Sequence, residues 1–202
     1  LLLIGDQVFP LSVMKPREKL IKRIQATNFE QTIDYIAYSW FNRLCAIRYM
    51  ECKGLLDHGR RVLSSADGSV GLPQILEECL DIDLPGLNAS RIAELKLDGN
   101  KDEELYRELL LAQCHALNQV MPLLFEQVSD ESELLLPDNL TKTDSILKSL
   151  VEEIPEEDWQ NIEVIGWLYQ FYISEHKDAV IGKVVKSEDI PAATQLFTPN
   201  WI

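Results

Sequence analysis

With 202 residues and 46% apolar content, the chain can bury a continuous core as one large domain or two small ones, which argues against disorder. Its net charge of −14 argues against nucleic-acid binding over the whole surface, because phosphate neutralisation needs clustered Lys and Arg. No apolar run reaches the roughly 18 residues of a membrane span, and the opening LLLIG lacks the length and basic flank of a secretory signal, so the reading is cytoplasmic with no membrane partner.

The charge is unevenly spread. Residues 1–61 hold ten of the 19 basic residues and six of the 33 acidic ones, so a basic end is joined to an acidic body. Cys45, Cys52, Cys79 and Cys114 form no C-x-x-C pair, and His58, His115 and His176 form no H-x-x-x-H pattern. Buried reduced thiols and no metal site are expected.

Helical periodicity dominates the chain order. KPREKLIKRIQATN (15–28) places Leu20, Ile21 and Ile24 on one stripe, with Lys15, Lys19, Lys22 and Arg23 around it. A short basic amphipathic helix is predicted there. The next helix is bounded by Asn28 as N-cap and Gly54 as a left-handed terminator. Along it Ile33, Ile36, Trp40, Leu44 and Ile47 form a stripe, and Tyr38, Phe41, Cys45 and Cys52 widen it, so more than one side is packed. Residues 55–73 read as an irregular Gly- and Ser-rich loop. PQILEECL (73–80) and NASRIAELKL (88–97) read as short helices, the second capped by Asn88 or Ser90. Residues 102–128 form a long helix interrupted near Pro122, and TDSILKSLVEEI (143–154) forms another. The last helix should begin at Pro155, where Glu156, Glu157 and Asp158 favour an N-terminus. RVLSS (61–65) and KVVKS (183–187) are the only strand candidates. The fold class expected is all-α, with Trp40, Phe41, Trp167, Leu168 and Phe171 largely buried.

No phosphate-binding glycine loop, nucleophile elbow, zinc-protease motif or kinase signature occurs, and no catalytic residue is assigned. TPNW (198–201) superficially resembles an Asn-Pro-Pro-aromatic base clamp, but its Asn follows the Pro. Asn42 and Arg43, inside the apolar YSWFNRL, need partners or solvent, and so either brace the core or face a ligand.

Five blocks in one order carry a resemblance: AYSWFNRLCAIRYME (37–51), LLLAQCHALNQVMPLLFE (109–126), ELLLPDNL (133–140), EVIGWLYQFYISEHKDAVIG (163–182) and IPAATQLFTPNWI (190–202). Together they closely resemble the segment ahead of the catalytic domain in the PglX family, the adenine-specific DNA methyltransferases of BREX phage-defence systems. The resemblance implies a helical N-terminal domain over 1–187 and the truncated beginning of a methyltransferase domain over 188–202. The chain, with no initiator Met and a terminal Trp201-Ile202, then reads as a fragment. In related amino-methyltransferases a [FY]-T-P-x-x-[IV] segment opens the catalytic domain and holds the methionine part of S-adenosylmethionine. Phe197, Thr198, Pro199 and Ile202 match it, which makes Phe197, Thr198 and Pro199 the cofactor-binding candidates of the parent. The fragment alone should neither transfer methyl groups nor bind the cofactor.

Double-stranded DNA is the implied partner, with Arg43, Arg48, Lys53, Arg60 and Arg61 as contacts. An alternative is a scaffold that docks other BREX components or a phage-encoded inhibitor through the acidic body. A third is part of a single-chain restriction-modification enzyme.

Overall fold

The computed structural model describes residues 1–4, 6–122, 125, 131–161, 163 and 166. Two compact units divide the chain, Leu1–Glu156 and Glu157–Ile202. Six α-helices account for most of the described residues, in agreement with the mainly α class.

The first unit opens on a hairpin that periodicity does not reveal. Strands β1 (Leu2–Ile4) and β2 (Gln7–Phe9) pair antiparallel, Leu3 opposite Val8. Each is three residues long, too short for an alternation signal to stand out. Helix α1 (Met14–Ala26) follows and packs on α2.

Helix α2 (Phe29–Cys52) has the predicted bounds. The Asn28 side chain accepts from the Gln31 backbone N–H at 2.9 Å, and Gly54 takes φ +64° just beyond the end. Ile36, Trp40, Leu44 and Ile47 are buried, while Ile33, Tyr38 and Phe41 are half-buried. Trp40 therefore meets the expectation and Phe41 only partly does. Trp167, Leu168 and Phe171 lie outside the described residues.

Helix α3 (Gln74–Glu77) is one turn long and passes through Glu78 into a 3-10 turn at Cys79–Asp81. Helix α4 (Ala89–Asp98) uses Asn88, the first of its two candidate caps, which accepts from Arg91 N–H at 3.1 Å. Gly99, at φ +69°, ends it in the left-handed region where a side chain would be strained. Helix α5 (Asp102–Val120) carries Asp102, Glu103 and Glu104 in its first turn, where the helix dipole favours them. It stops two residues ahead of Pro122, as the missing donor of proline requires. Helix α6 (Ile146–Glu153) is capped by Ser145, whose hydroxyl accepts from Leu147 N–H at 3.1 Å.

The core joins the α2 stripe to Leu105, Tyr106, Leu109, Leu110 and Leu117 of α5, with Ile75, Leu76, Ile92 and Leu95 from the short helices. Each such side chain contributes about 1.5–3 kcal/mol on burial. That is why helices only one to three turns long persist here and would not alone.

In the second unit the α-helix expected from Pro155 is replaced at its start by a 3-10 turn at Asp158–Gln160. Trp159 inside that turn is fully buried, and Glu163 and Gly166 are helical. An aromatic anchor is thus turned inward four residues after Pro155.

Candidate functional site

The densest polar constellation lies where α2 ends. Glu51 falls in the last turn of that helix, where the partial negative charge of the carbonyl ends opposes a carboxylate. Four donors offset this. Glu51 Oε1 accepts from Arg48 Nη1 at 2.6 Å and from Ser64 Oγ at 3.0 Å. Oε2 accepts from the backbone N–H groups of Val62 at 2.7 Å and Leu63 at 2.8 Å. Arg48 Nη1 also donates to Ser64 Oγ at 3.0 Å, and the side chains of Arg48 and Glu51 are 1% and 0% exposed. Tyr106 of α5 closes the network by donating its hydroxyl to the Val62 carbonyl at 2.8 Å. Burial raises its phenol pKa well above the usual value.

This network explains RVLSS. Residues 61–65 form no strand, correcting that expectation: their backbone groups are spent on Glu51, Tyr106 and α3 rather than on a neighbouring strand. Ile75 N–H donates to the Arg61 carbonyl at 2.9 Å, and Gln74 N–H donates to the Ser64 carbonyl at 2.9 Å. An irregular buried segment must satisfy its peptide groups this way.

The five basic candidates are dispersed by this arrangement. Arg48 is enclosed as described. Arg43, 3% exposed, donates to Ser132 Oγ at 3.4 Å and lies over the Trp40 ring, 5.2 Å from its centroid. Trp40 Nε1 donates to the carbonyl of the same Ser132 at 2.8 Å, so ring and guanidinium together hold that segment. Lys53, half-buried, sits 5.8 Å from the Tyr49 ring centroid. Arg60 donates to Glu78 Oε2 at 3.0 Å and to the His58 carbonyl at 2.9 Å. Arg61 grips both oxygens of Glu156, at 2.9 and 2.8 Å. That bidentate bond is the main cause of a lowered Glu156 pKa and a raised Arg61 pKa.

Burial pushes the Cys45 and Cys114 thiols up to about 12, and it raises Cys52 and Cys79 as well. All four are free. Among the described residues no group of three His, Cys, Asp or Glu is placed to hold a metal. No helix of the described residues is long and apolar enough to cross a membrane. Phe197, Thr198 and Pro199 lie outside the described residues. Glu51, Ser64 and Tyr106 were not singled out from sequence. The one local signal was an acid in the last turn of a helix, three residues after an arginine.

No family model matches the chain. The adenine-specific methyltransferase BrxX of Escherichia coli O9:H4 (strain HS) is 63% identical over 200 residues, which is 98% of this chain and 16% of that protein. This chain is homologous to part of an adenine-specific methyltransferase. The adenine-specific methyltransferase PglX of Lacticaseibacillus casei (strain Zhang) is 41% identical over 183 residues, 84% of this chain and 15% of that protein. The chain thus spans about one sixth of the length of the methyltransferases it matches. The absence of catalytic motifs is what a match of that extent allows, since most of each methyltransferase lies outside it.

Proposed function

We propose that the chain is the helical N-terminal domain of an adenine-N6, site-specific DNA methyltransferase of a BREX phage-defence system. The supporting observation is 63% identity across 98% of the chain to a protein named as an adenine-specific methyltransferase. In this reading the core around α2 and α5 is a support against which the catalytic domain packs, and the protein works in the cytoplasm on double-stranded DNA. S-adenosylmethionine supplies the methyl group in the longer protein. Residues 188–202 open the catalytic domain, and Phe197, Thr198 and Pro199 hold the methionine part of that cofactor. A Thr followed by Pro, as at Thr198-Pro199, is a sequence pattern favoured at a helix start, where backbone donors would suit a carboxylate. Of the five basic candidates, Lys53, Arg60 and Arg61 retain surface, whereas Arg43 and Arg48 support the fold.

The acidic composition beyond residue 61 favours a second role for the same domain, as a docking surface for other defence components or a phage-encoded inhibitor. A methylation assay on adenine-containing duplexes, run on this chain and on the longer protein at equal concentration, tests the first reading. Transfer by the longer protein alone is expected. Transfer by this chain would show that the chemistry lies within it, and none by either would remove the reading.

A further inference from the structure

The hairpin that opens the first unit is under-supported. Among the described residues β1 and β2 pair only with each other, and no described helix packs on either strand as closely as the strands pack together. A two-stranded hairpin by itself is marginal in water and persists when a further strand or another layer covers its apolar side. Leu3 and Val8 are cross-strand partners, so their side chains share one face, and they are 69% and 60% exposed. Ile4 and Phe9, which alternate to the other face, are half-buried. A second apolar pair follows two residues after β2. Leu11, in the 3-10 turn at Leu11–Val13, and Met14, three residues on at the first position of α1, are 60% and 43% exposed. That spacing aligns side chains on one side of either type of helix.

We propose that this surface, Leu3, Val8, Leu11 and Met14, is an intramolecular docking site for an apolar face of the longer polypeptide outside residues 1–202. Chemistry and size select that occupant. The four side chains offer no charge, donor or strong acceptor, so a partner gains by covering them with apolar atoms, and a charged face would be desolvated there without pairing. At the exposures above they present roughly 300–400 Å², about half of the ~800 Å² that each partner buries in a stable complex of separate chains. A separate molecule, including a second copy, must also offset its lost translational and rotational freedom. A segment of the same polypeptide instead meets the site at an effective concentration on the order of millimolar, so a small patch suffices. The matched methyltransferases have such further polypeptide, since this chain spans 16% of one and 15% of the other.

The docking site rests on the reading of the chain as part of a longer methyltransferase, and its test is separate from methyl transfer. Met14 reports on coverage, because peroxide must reach a methionine sulfur to oxidise it. The longer protein and the 202-residue chain are treated briefly with dilute hydrogen peroxide at two protein concentrations about a hundredfold apart, and Met14 sulfoxide is followed by peptide mass spectrometry. Met14 should oxidise about fivefold or more slowly in the longer protein, equally at both concentrations. In the longer protein Leu3→Lys/Val8→Glu, whose opposite charges keep the cross-strand pair, should return Met14 to the rate of the 202-residue chain. The control Leu80→Lys/Leu97→Glu, at leucines 64% and 88% exposed, should leave Met14 protected. Equal rates in the two unsubstituted proteins overturn the proposal, as does protection that survives the hairpin variant. Protection at the higher concentration alone overturns it in favour of a second copy. A duplex-methylation assay on the same preparation separates the two readings. Fast Met14 oxidation in a protein that transfers methyl groups removes the docking site and leaves the methyltransferase reading standing, and protection without transfer does the reverse.

Discussion

Replacing Glu51 by Ala should be among the most damaging single changes in the first unit. It strands the Arg48 guanidinium, 1% exposed, without a counter-charge, and leaves the Val62 and Leu63 N–H groups and the Ser64 hydroxyl without their acceptor. Removing one partner of a buried pair costs about 3–5 kcal/mol, and each stranded buried donor adds about 1–3 kcal/mol where water cannot reach it. These contributions overlap, since the loop will move to admit solvent, so we expect about 4 kcal/mol overall. Arg48→Met/Glu51→Leu should recover part of that, because apolar side chains of similar volume replace buried ion pairs at little cost. It should still remain about 2 kcal/mol below the parent, as the peptide donors of residues 62 and 63 stay unmatched. Urea unfolding followed by circular dichroism, with m values compared to confirm equal exposed surface, measures all three proteins. A loss below about 1 kcal/mol for Glu51→Ala would refute the view that this carboxylate organises the loop, since it would match an ordinary surface substitution.

Three further outcomes follow from the same geometry. Glu156 has its pKa lowered from 4.5, chiefly by the hydrogen bond from Arg61, so its contribution is present above the unfolded value and is lost as pH falls through the folded one. The stability difference between the parent and Glu156→Gln should therefore be largest above about pH 5 and vanish in strong acid; a difference that grows on acidification would reverse the assignment. Brief alkylation of the native protein at pH 8, read by mass spectrometry, should mark Cys52 first, since Cys45, Cys79 and Cys114 are buried; early labelling of Cys114 would contradict the packing of α5. Gly68 and Gly59 both hold positive φ, at +86° and +68°, but only at Gly68 would a new Cβ meet Arg61 and Glu156. Gly59→Ala should cost about 1 kcal/mol from backbone strain and Gly68→Ala distinctly more, by thermal unfolding; equal costs would place the Arg61–Glu156 pair elsewhere.

The helices were legible because their signals are local. Asn28 and Asn88 cap by bonding three residues away, Pro122 ends α5 from within its own neighbourhood, and a stripe such as Ile36, Trp40, Leu44 and Ile47 follows from 3.6 residues per turn. The colinear blocks were equally legible, and identity to the adenine-specific methyltransferases accounts for them. What the one-dimensional pattern could not decide was the fate of its polar groups. Arg48 and Lys53 look alike on paper, both basic and both on or beside the last turns of α2. Yet one is sealed against Glu51 and the other lies against Tyr49 nearer the surface. RVLSS has the composition of a strand, but a carboxylate ten or more positions upstream takes its amides, and Tyr106, 44 positions downstream of Val62, takes a carbonyl. Long-range partners of that kind exist only once α2, the loop and α5 are packed. Sequence alone therefore determined where the α-helices of the described residues up to Glu153 lie and which proteins the chain resembles, whereas tertiary structure decided which of its charges hold the fold together. Hydrogen-bond satisfaction on burial is a property of the assembled core and leaves no periodicity in the chain.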